Sequence, residues 1–449
     1  MSAAVAAFIV TAQSTLHAAE PKPPPGWTVI STDNLESEWP KLNAVQRIHA
    51  INGVIQAGQF DLADRLLART KFRGGAAVDA QFLKGRLHAA RGQYPEAVDT
   101  FRAILAGHPK HETARLELAH ALVALKQDSA ARHHFNLSLG AITDPRLKSR
   151  VRTFIDAMDK RKRWNFSSYL SVLPSTNINQ GADVKVVTLN GLPFELDENS
   201  RRKSGVGVKA GVAGGYRVTV TDKLDFVGGG GADIKRYRDK RYNDHSLTAE
   251  AGPRYQFGFG NVALYATSTR RWYGGSAYAW YHGGRLQTGM RLGDQRIVRG
   301  TGACTRKLHD AHDYQDGWNC AIYGEQDYFT GPSSFVRVLG GYEIEESDTE
   351  HLSYKSYNIG LGAYRELPWG TTLYGQVAYR KYDFDGLYPG STESREDHRF
   401  DVTLNLTKRD WAILGYAPVL TYTYTINNSN VGFHDYSAHG INFTVTKNF

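Results

Sequence analysis

No stretch of this 449-residue chain approaches the roughly 20 consecutive apolar residues that a membrane-spanning helix requires. The longest apolar run, Ala3 to Val10, is far shorter, and the mean hydropathy is −0.44. A bundle of transmembrane helices is thereby excluded. A transmembrane β-barrel is not, because alternating strands average their apolar face away. Cysteine is scarce as well. Cys304 and Cys320 are the only two, which allows one bridge at most and excludes a disulfide scaffold or a multi-cysteine zinc site. Methionine is rare, with three residues. His88, His108, His111, His120, His133 and His134 lack the matched carboxylate or thiol spacing of a metal site. They read as surface or packing histidines, and no metal or other cofactor is expected. Glycine (45) and aromatics (8 Trp, 25 Tyr, 19 Phe) are plentiful and sit mostly in the second half, and the net charge is +9. A chain this long exceeds what one core usually supports, so at least two units are expected.

Met1–Ala19 reads as a signal peptide, with an apolar centre at Ala3–Val10 and a small-residue end at His17-Ala18-Ala19, although the usual basic start is missing. Residues 20–41 are expected to be a proline-rich linker, stiffened by Pro21 and Pro23-Pro24-Pro25. Residues 42–163 then repeat with a period of 34. Ala63, Ala97 and Ala131 obey it, as do Leu67, Phe101 and Phe135, Gly58 and Gly92, and Phe60 and Tyr94. The clearest copy, Val78–His111, carries Gly85, Gly92, Tyr94, Ala97, Phe101 and Pro109 at the offsets of a tetratricopeptide (TPR) repeat. Small residues let paired helices approach, and a bulky residue one turn later fills the groove between repeats. The third copy departs, with Lys126 in place of the turn glycine. Such arrays bind extended peptides on the concave face built by each first helix. By offset, that face shows Asn52, Gln56, Phe82, Arg86, Leu116 and His120, of which Phe82 and Leu116 serve equally well as core.

From residue 164 to 449 the period is two. Ile441, Phe443, Val445, Lys447 and Phe449 share a face, as do Phe400, Val402, Leu404 and Leu406, or Val206, Val208, Ala210 and Val212. Small or polar residues take the other face. Fourteen such segments begin near Trp164, Ser204, Asp222, Asp244, Gly260, Ser276, Gln295, Asp316, Ser333, Tyr354, Gly370, His398, Trp411 and His434. Each with its connection takes about 20 residues, as in a membrane barrel. Connections near Thr221, Gly260, Gly293, Pro332, Trp369 and Arg409 read as short turns. Those near Arg238, Tyr273, His309, Ser347, Gly386 and Asn428 read as longer, and Ser175–Lys203 as a long loop. Short turns on one side and loops on the other fit an outer-membrane barrel whose two ends return to the periplasm. Phe443, Val445 and the terminal Phe449 resemble the signal by which barrel-assembly machinery recognises outer-membrane proteins.

Several chemical motifs fail on period. Gly205-x-Gly207-x-x-x-Gly211 and Gly228–Gly231 continue within strands, whereas a nucleotide loop needs a strand followed at once by a helix. His434, Asp435 and Ser437 have no spacing that orients a base toward a nucleophile. No catalytic residue is assigned, and the chain is not expected to be an enzyme. Cys304 and Cys320 flank the link near His309, where a disulfide is expected in an oxidising periplasm, two free thiols being the alternative. Basic groups cluster at the outer strand ends. Lys235, Arg236, Arg238, Arg270 and Arg271 are candidates for a rim that contacts lipopolysaccharide phosphates, or else are ordinary solvated or lumen-lining charge. Their separation along the chain argues against nucleic-acid binding. Lys160-Arg161-Lys162-Arg163, at the junction, either docks the two units or meets inner-leaflet headgroups.

The 34-residue repeats, the Trp164-Asn165-Phe166 start of the barrel, the stretch Pro174-Ser175-Thr176-Asn177-Ile178-Asn179-Gln180 and the fourteen segments together resemble the surface lipoprotein assembly modifier family, the outer-membrane component of type XI secretion. The resemblance covers roughly residues 42–449. It implies a fold of N-terminal TPR-like helices followed by a 14-stranded antiparallel transmembrane β-barrel, in the bacterial outer membrane with the helices in the periplasm. It also implies an outer-membrane translocon that delivers client proteins, surface lipoproteins or secreted haem- or metal-binding proteins, to the cell surface. The expected partners are that client, outer-membrane lipid and the barrel-assembly machinery. Two alternatives are an exopolysaccharide export porin with a periplasmic TPR domain, and a simple porin. The basic balance and the small number of repeats weigh against the first.

Overall fold

A computed structural model of the protein describes residues 35–161, 163–189, 191–411 and 416–446. The signal-peptide reading of Met1–Ala19 and the terminal Phe449 lie outside the described residues. A helical turn, α1 (Leu35–Glu38), precedes three hairpins: α2 (Ala44–Gln56) with α3 (Phe60–Arg69), α4 (Gly75–Ala90) with α5 (Tyr94–Gly107), and α6 (Glu112–Ala124) with α7 (Asp128–Leu139). Helix α8 (Pro145–Arg161) closes the array. The linker ends sooner than expected. Leu35 and Trp39 are buried against Ile51, Leu66 and Leu83, and the Trp39 indole donates to Thr70 Oγ1 at 2.9 Å, so residues 35–41 belong to the helical unit. Helix α2 starts on a capping box in which Asn43 and Gln46 satisfy each other's backbone N–H.

The repeat physics is visible at three positions. Ala63, Ala97 and Ala131 are fully buried at helix crossings, with Phe101 and Phe135 filling the grooves beside them. Gly85 lies under the Phe101 ring, where an added Cβ would stand 2.6 Å from Cε1. The hairpin turns need a left-handed residue, supplied by Gly58 (φ +75°) and Gly92 (φ +74°). In the third hairpin Lys126 takes that conformation at φ +59°, at the steric expense of a Cβ.

The barrel strands are β1 (Trp164–Ser175), β4 (Gly205–Thr219), β5 (Leu224–Tyr237), β6 (Asp244–Phe257), β7 (Gly260–Tyr273), β8 (Ser276–Leu292) and β9 (Arg296–His309), then β10 (Gly317–Gly331), β11 (Ser334–Ser347), β12 (Tyr354–Leu367), β13 (Thr371–Leu387), β14 (Ser394–Lys408), β15 (Ala417–Ser429) and β16 (Tyr436–Thr446). Neighbours pair antiparallel, and β1 returns to β16 with Leu170 opposite Val445 and Val172 opposite Phe443, closing fourteen strands. A separate hairpin, β2 (Val186–Leu189) and β3 (Leu192–Glu195), rises from the long first loop. Closure leaves no sheet edge among these strands, the condition for spanning hydrocarbon. One face of every strand is apolar and exposed, for example Phe166 and Leu170, Val206 and Val208, Ile359 and Leu361, Phe443 and Val445. The other face turns charged and tyrosine side chains into the lumen. The glycine run of β4 belongs to that inner wall: a side chain at Gly207 or Gly211 would collide with the rings of Tyr237 or Tyr169.

Three details differ from the sequence reading. Strand β14 starts earlier, at Ser394, and β15 starts later, at Ala417, the latter because Arg409–Trp411 forms a 3-10 turn. The link after Tyr273 is a tight turn through Gly274 and Gly275, both at positive φ, rather than a loop. The disulfide joins Cys304 to Cys320 directly across the β9–β10 ladder. It lies on the outward face with Leu308 and Ile322, within the sheet, and does not staple the link beyond His309. The first loop folds back over the outer end of the β1–β16 seam. There Asp183 accepts from both the backbone N–H and the hydroxyl of Ser437, and Asn177 donates to Ser437 O. The imagined His434–Asp435–Ser437 cluster is therefore structural, since Ser437 donates to Asp183 at 2.6 Å and His434 packs edge-on to Tyr388.

Two substitutions test this account. Gly85→Val inserts volume under Phe101 and is expected to cost the helical unit about 2 kcal/mol. Lys126→Gly relieves the left-handed lysine and is expected to add about 1 kcal/mol. Hydrogen exchange of the helical unit in the intact chain, read peptide by peptide, checks both directions.

Candidate functional site

Helix α7 has no solvent-facing side of the usual kind. One face, with Ala131, Phe135 and Leu139, is buried in the helical core. The opposite side carries Arg132, His133, Asn136, Leu137 and Gly140, spaced by helical turns onto one stripe. That stripe sits in the end of the barrel ringed by the short turns. Leu137 is fully buried against Phe329 and Phe335, with Ile297, Tyr364 and Tyr374 around them. Gly140 permits the approach, since an added Cβ would lie 3.1 Å from Phe329 Cβ. Asn136 accepts from Arg291, Lys148 pairs with Asp294 at 2.9 Å, and Arg152 reaches the same carboxylate. The N–H of Trp369, in the β12–β13 turn, donates to Ala106 O at 2.7 Å. The helical unit is thus a plug seated in the periplasmic mouth.

At the centre of the seat lies a buried charge cluster. Glu366, at the end of β12, accepts from Arg115 of α6 at 2.6 Å and from Arg409 at 2.6 Å. Arg115 and Glu366 are wholly excluded from solvent. Arg115 also donates to Pro109 O and to His134 Nδ1. His133 Nε2 lies 2.8 Å from the Tyr364 hydroxyl. Burial, and then the adjacent Arg115 charge, hold the His134 pKa well below the ordinary 6.5, so the ring is neutral at its seat and free to accept from arginine. Period and propensity give no hint of this cluster: Arg115 and Glu366 are 251 residues apart. The signal in the sequence is Leu137, an apolar residue on a side of α7 that a solvent-facing helix would leave polar.

The residues expected to line the concave face are only partly brought together. Asn52 Oδ1 accepts from Arg86 at 2.5 Å, and Arg86 lies 4.0 Å from Glu117, a polar ladder across the successive first helices α2, α4 and α6. Gln56 is exposed. Phe82 packs on Phe101 and His111, and Leu116 packs on the helical core, the bland alternative for both. His120 lies against Phe135 and Phe154 with its Nε2 buried and unbonded, and burial lowers its pKa.

The outer rim splits. Arg236 and Arg238 are exposed, and Arg270 pairs with Asp310 at 2.8 Å while stacking over Trp272 and Trp280. Lys235 and Arg271 instead occupy lumen-facing positions, Lys235 over Tyr237 and Arg271 bound to Asp244 at 2.8 Å. Strand alternation explains the split, with the lumen-lining alternative taken at these two positions: two adjacent basic residues cannot both point to the lipid side. Phe443 and Val445 are on the lipid-facing side of β16. At the junction, Arg161 binds Asp128 at 2.7 Å, a contact inside the helical unit rather than with headgroups.

Between plug and inner wall is a cavity of about 760 Å³, lined by Arg132 of α7, by Arg163, Arg217, Arg254 and Arg299, and by Asn165 and Asn358 among other polar groups. Arg217 is paired with Asp225 at 3.5 Å, and Arg299 with Glu325 and Asp327.

The arrangement predicts a door held by one carboxylate. Glu366→Ala leaves two buried guanidinium groups facing each other, at a cost of about 3–5 kcal/mol to docking. Planar-bilayer recordings should show sustained openings in this variant and a quiet wild type. Docking should also weaken as pH falls. A released His134 regains a pKa near 6.5 and takes a proton that the seat disfavours, so the stabilisation is complete above that pH and declines below it. His134→Gln, which keeps an acceptor for Arg115, should move the onset of openings to lower pH.

Comparison with known proteins adds independent information. The surface lipoprotein assembly modifier family model matches residues 164–449, and tetratricopeptide models match residues 54–112 and 88–149. Surface lipoprotein assembly modifier 1 of Neisseria meningitidis serogroup B is 24% identical over 372 residues, covering 80% of this chain and 73% of that protein. The hemophilin secretion modulator of Acinetobacter baumannii is 23% identical over 416 residues, covering 84% and 80%. A loop-deleted OmpT of Vibrio cholerae aligns at a TM-score of 0.35 and 13% identity over 63% of this chain and 98% of that one, which adds nothing to the barrel described above.

Proposed function

We propose, because the chain belongs to the surface lipoprotein assembly modifier family, that it is the outer-membrane translocon for particular client proteins. It takes surface lipoproteins, or secreted haem- or metal-binding proteins, from the periplasm to the cell surface. The observation that carries this reading is the seated plug. A pore for small solutes is served by an open lumen. A route for a polypeptide must stay shut until the polypeptide arrives, and here the shutter is itself a peptide-binding type of array. The secreted-protein branch of the reading draws on the similarity to a protein named for hemophilin secretion.

In this mechanism the client reaches the periplasmic face unfolded or partly folded. The first-helix ladder of Asn52, Arg86 and Glu117 and the rim of the mouth engage it, and α7 leaves its seat. The client then passes through the lumen or through the seam between β1 and β16. No covalent chemistry is needed from the chain. Direction comes from folding of the client outside, which withdraws it from the equilibrium.

The test is surface delivery of a client encoded beside this chain. Deleting residues 164–449 should abolish protease accessibility of the client on intact cells. Cysteines at Leu137 and Phe335, oxidised to lock the plug, should also stop delivery, and mild reduction should restore it. Normal delivery with the plug locked would overturn the reading.

A further inference from the structure

We propose that a groove on the lipid-facing wall of the barrel, spanning β8 to β11, seats the acyl anchor of a lipoprotein. This rests on the export reading above and singles out its lipoprotein branch.

The groove has a volume of about 480 Å³, and none of its lining side chains is charged. Its floor is a cross-strand row with little side chain: Gly284 of β8 stands opposite Cys304 of β9, which is bridged to Cys320 of β10. The next row toward the periplasm places Gly302 between Leu286 and Ile322. Leu264 beside Leu286 forms one wall, and Ile322, Tyr342 and Ile344 form the other. Lipid-facing strand positions usually carry large apolar side chains, and glycine within a strand weakens it. At Gly207 and Gly211 of the inner wall a tyrosine ring takes the space. Nothing in the chain does so here. Beyond its own neighbours, an added Cβ would meet no atom nearer than 4.0 Å at Gly284 or 3.9 Å at Gly302, and neither residue has a positive φ. The hollow is therefore filled from outside, by an acyl chain in the hydrocarbon.

The outer end of the groove says which kind of lipid brings that chain. Next toward the rim, His282, Arg306, Trp318 and Glu346 stand in one cross-strand row, with Trp280 stacked on His282. Tryptophans gather at the level where acyl chains give way to polar groups, so the groove lies in the outer leaflet. The basic groups around it already have carboxylates. Arg306 lies 3.9 Å from Asp348, Arg270 holds Asp310 at 2.8 Å while stacking over Trp280, and Lys355 lies 3.7 Å from Asp385. Glu346 adds a further negative charge. These groups have no positive excess to draw the phosphates of lipopolysaccharide. A lipoprotein anchor is the better match, because it carries its acyl chains on a glyceryl-cysteine with no phosphate. Its ester and amide carbonyls would lie level with the indole rings. Under the export reading, that anchor is the lipid newly arriving in the outer leaflet.

The experiment uses the full chain in detergent and an uncharged tripalmitoylated glyceryl-cysteine amide, with native mass spectrometry reading what the chain retains. Lipid A and phosphatidylglycerol are the competitors. The acylated cysteine should be retained, and neither competitor should displace it at equal concentration. Gly284→Leu with Gly302→Leu fills the hollow and should lower retention about tenfold, as expected when two methylenes are turned out of it. Gly228→Leu, at an equally bare lipid-facing position of β5 away from the groove, should leave retention unchanged. Heat-modified gel migration confirms that each variant barrel is folded. Absence of retention, or retention indifferent to the paired leucines, overturns the proposal. So does displacement by either competitor, which marks a face open to any lipid. A dimer of the chain that the paired leucines dissociate also overturns it, since the groove then holds a second copy. Client delivery is scored separately. Retention by a chain that delivers nothing refutes export and leaves the groove, and normal delivery of a lipoprotein without retention does the reverse.

Discussion

Hydrocarbon offers no hydrogen-bond partner to a peptide group, so a sheet that enters it has to close on itself. In this chain that requirement is met where β1 meets β16, Leu170 beside Val445 and Val172 beside Phe443. Much else follows. Once the ladder is closed, each strand must alternate, with one side chain to lipid and the next to the lumen. Leu308, Ile322 and the Cys304–Cys320 bridge share the outer side, while Arg271, Asp327 and Glu343 share the inner. The inner wall of β4 is bare so that Tyr169 and Tyr237 can lie flat against it.

A fourteen-stranded cylinder is too wide to fill with its own side chains, and that opening is what the helical unit occupies. Its seat combines two kinds of contact. Leu137 against Phe329 and Phe335 is ordinary apolar packing. Glu366 between Arg115 and Arg409 is different, because a buried ion cluster gives little net stability but strongly disfavours any misaligned arrangement. The first holds the plug in place and the second sets its register. Arg115 Nε and Arg409 Nε remain without partners even there, so the seat is short of a perfectly satisfied core. Such a contact suits a door better than a permanent joint.

The net charge of +9 acquires meaning only when it is located. Much of the lumen is balanced, as in the Arg299–Glu325–Asp327–Arg337 network. On the outer rim Arg236 and Arg238 stay exposed, where salt screens them.

Periodicity alone carried the architecture. A repeat of 34 placed Ala63, Ala97 and Ala131 at helix crossings, and a period of two placed Phe443 and Val445 toward lipid, because both patterns are local consequences of burying one face of one element. The strand number and the short-turn end are legible on the same grounds, whereas the family is legible only by resemblance, through stretches such as Trp164-Asn165-Phe166 and Pro174–Gln180. Strand starts at Ser394 and Ala417 differ from the expected ones by a few residues, and the link after Tyr273 is tight rather than long, because turn geometry depends on backbone angles that many sequences share. For Lys235 and Arg271 the lumen-lining alternative is the one the fold realises, because alternation separates neighbouring charges that the sequence presents as one cluster. The plug could not have been read at all. Arg115 meets Glu366 and Leu137 meets Phe335 only after two independently patterned units dock, and a pairing between distant positions leaves no period in a single chain.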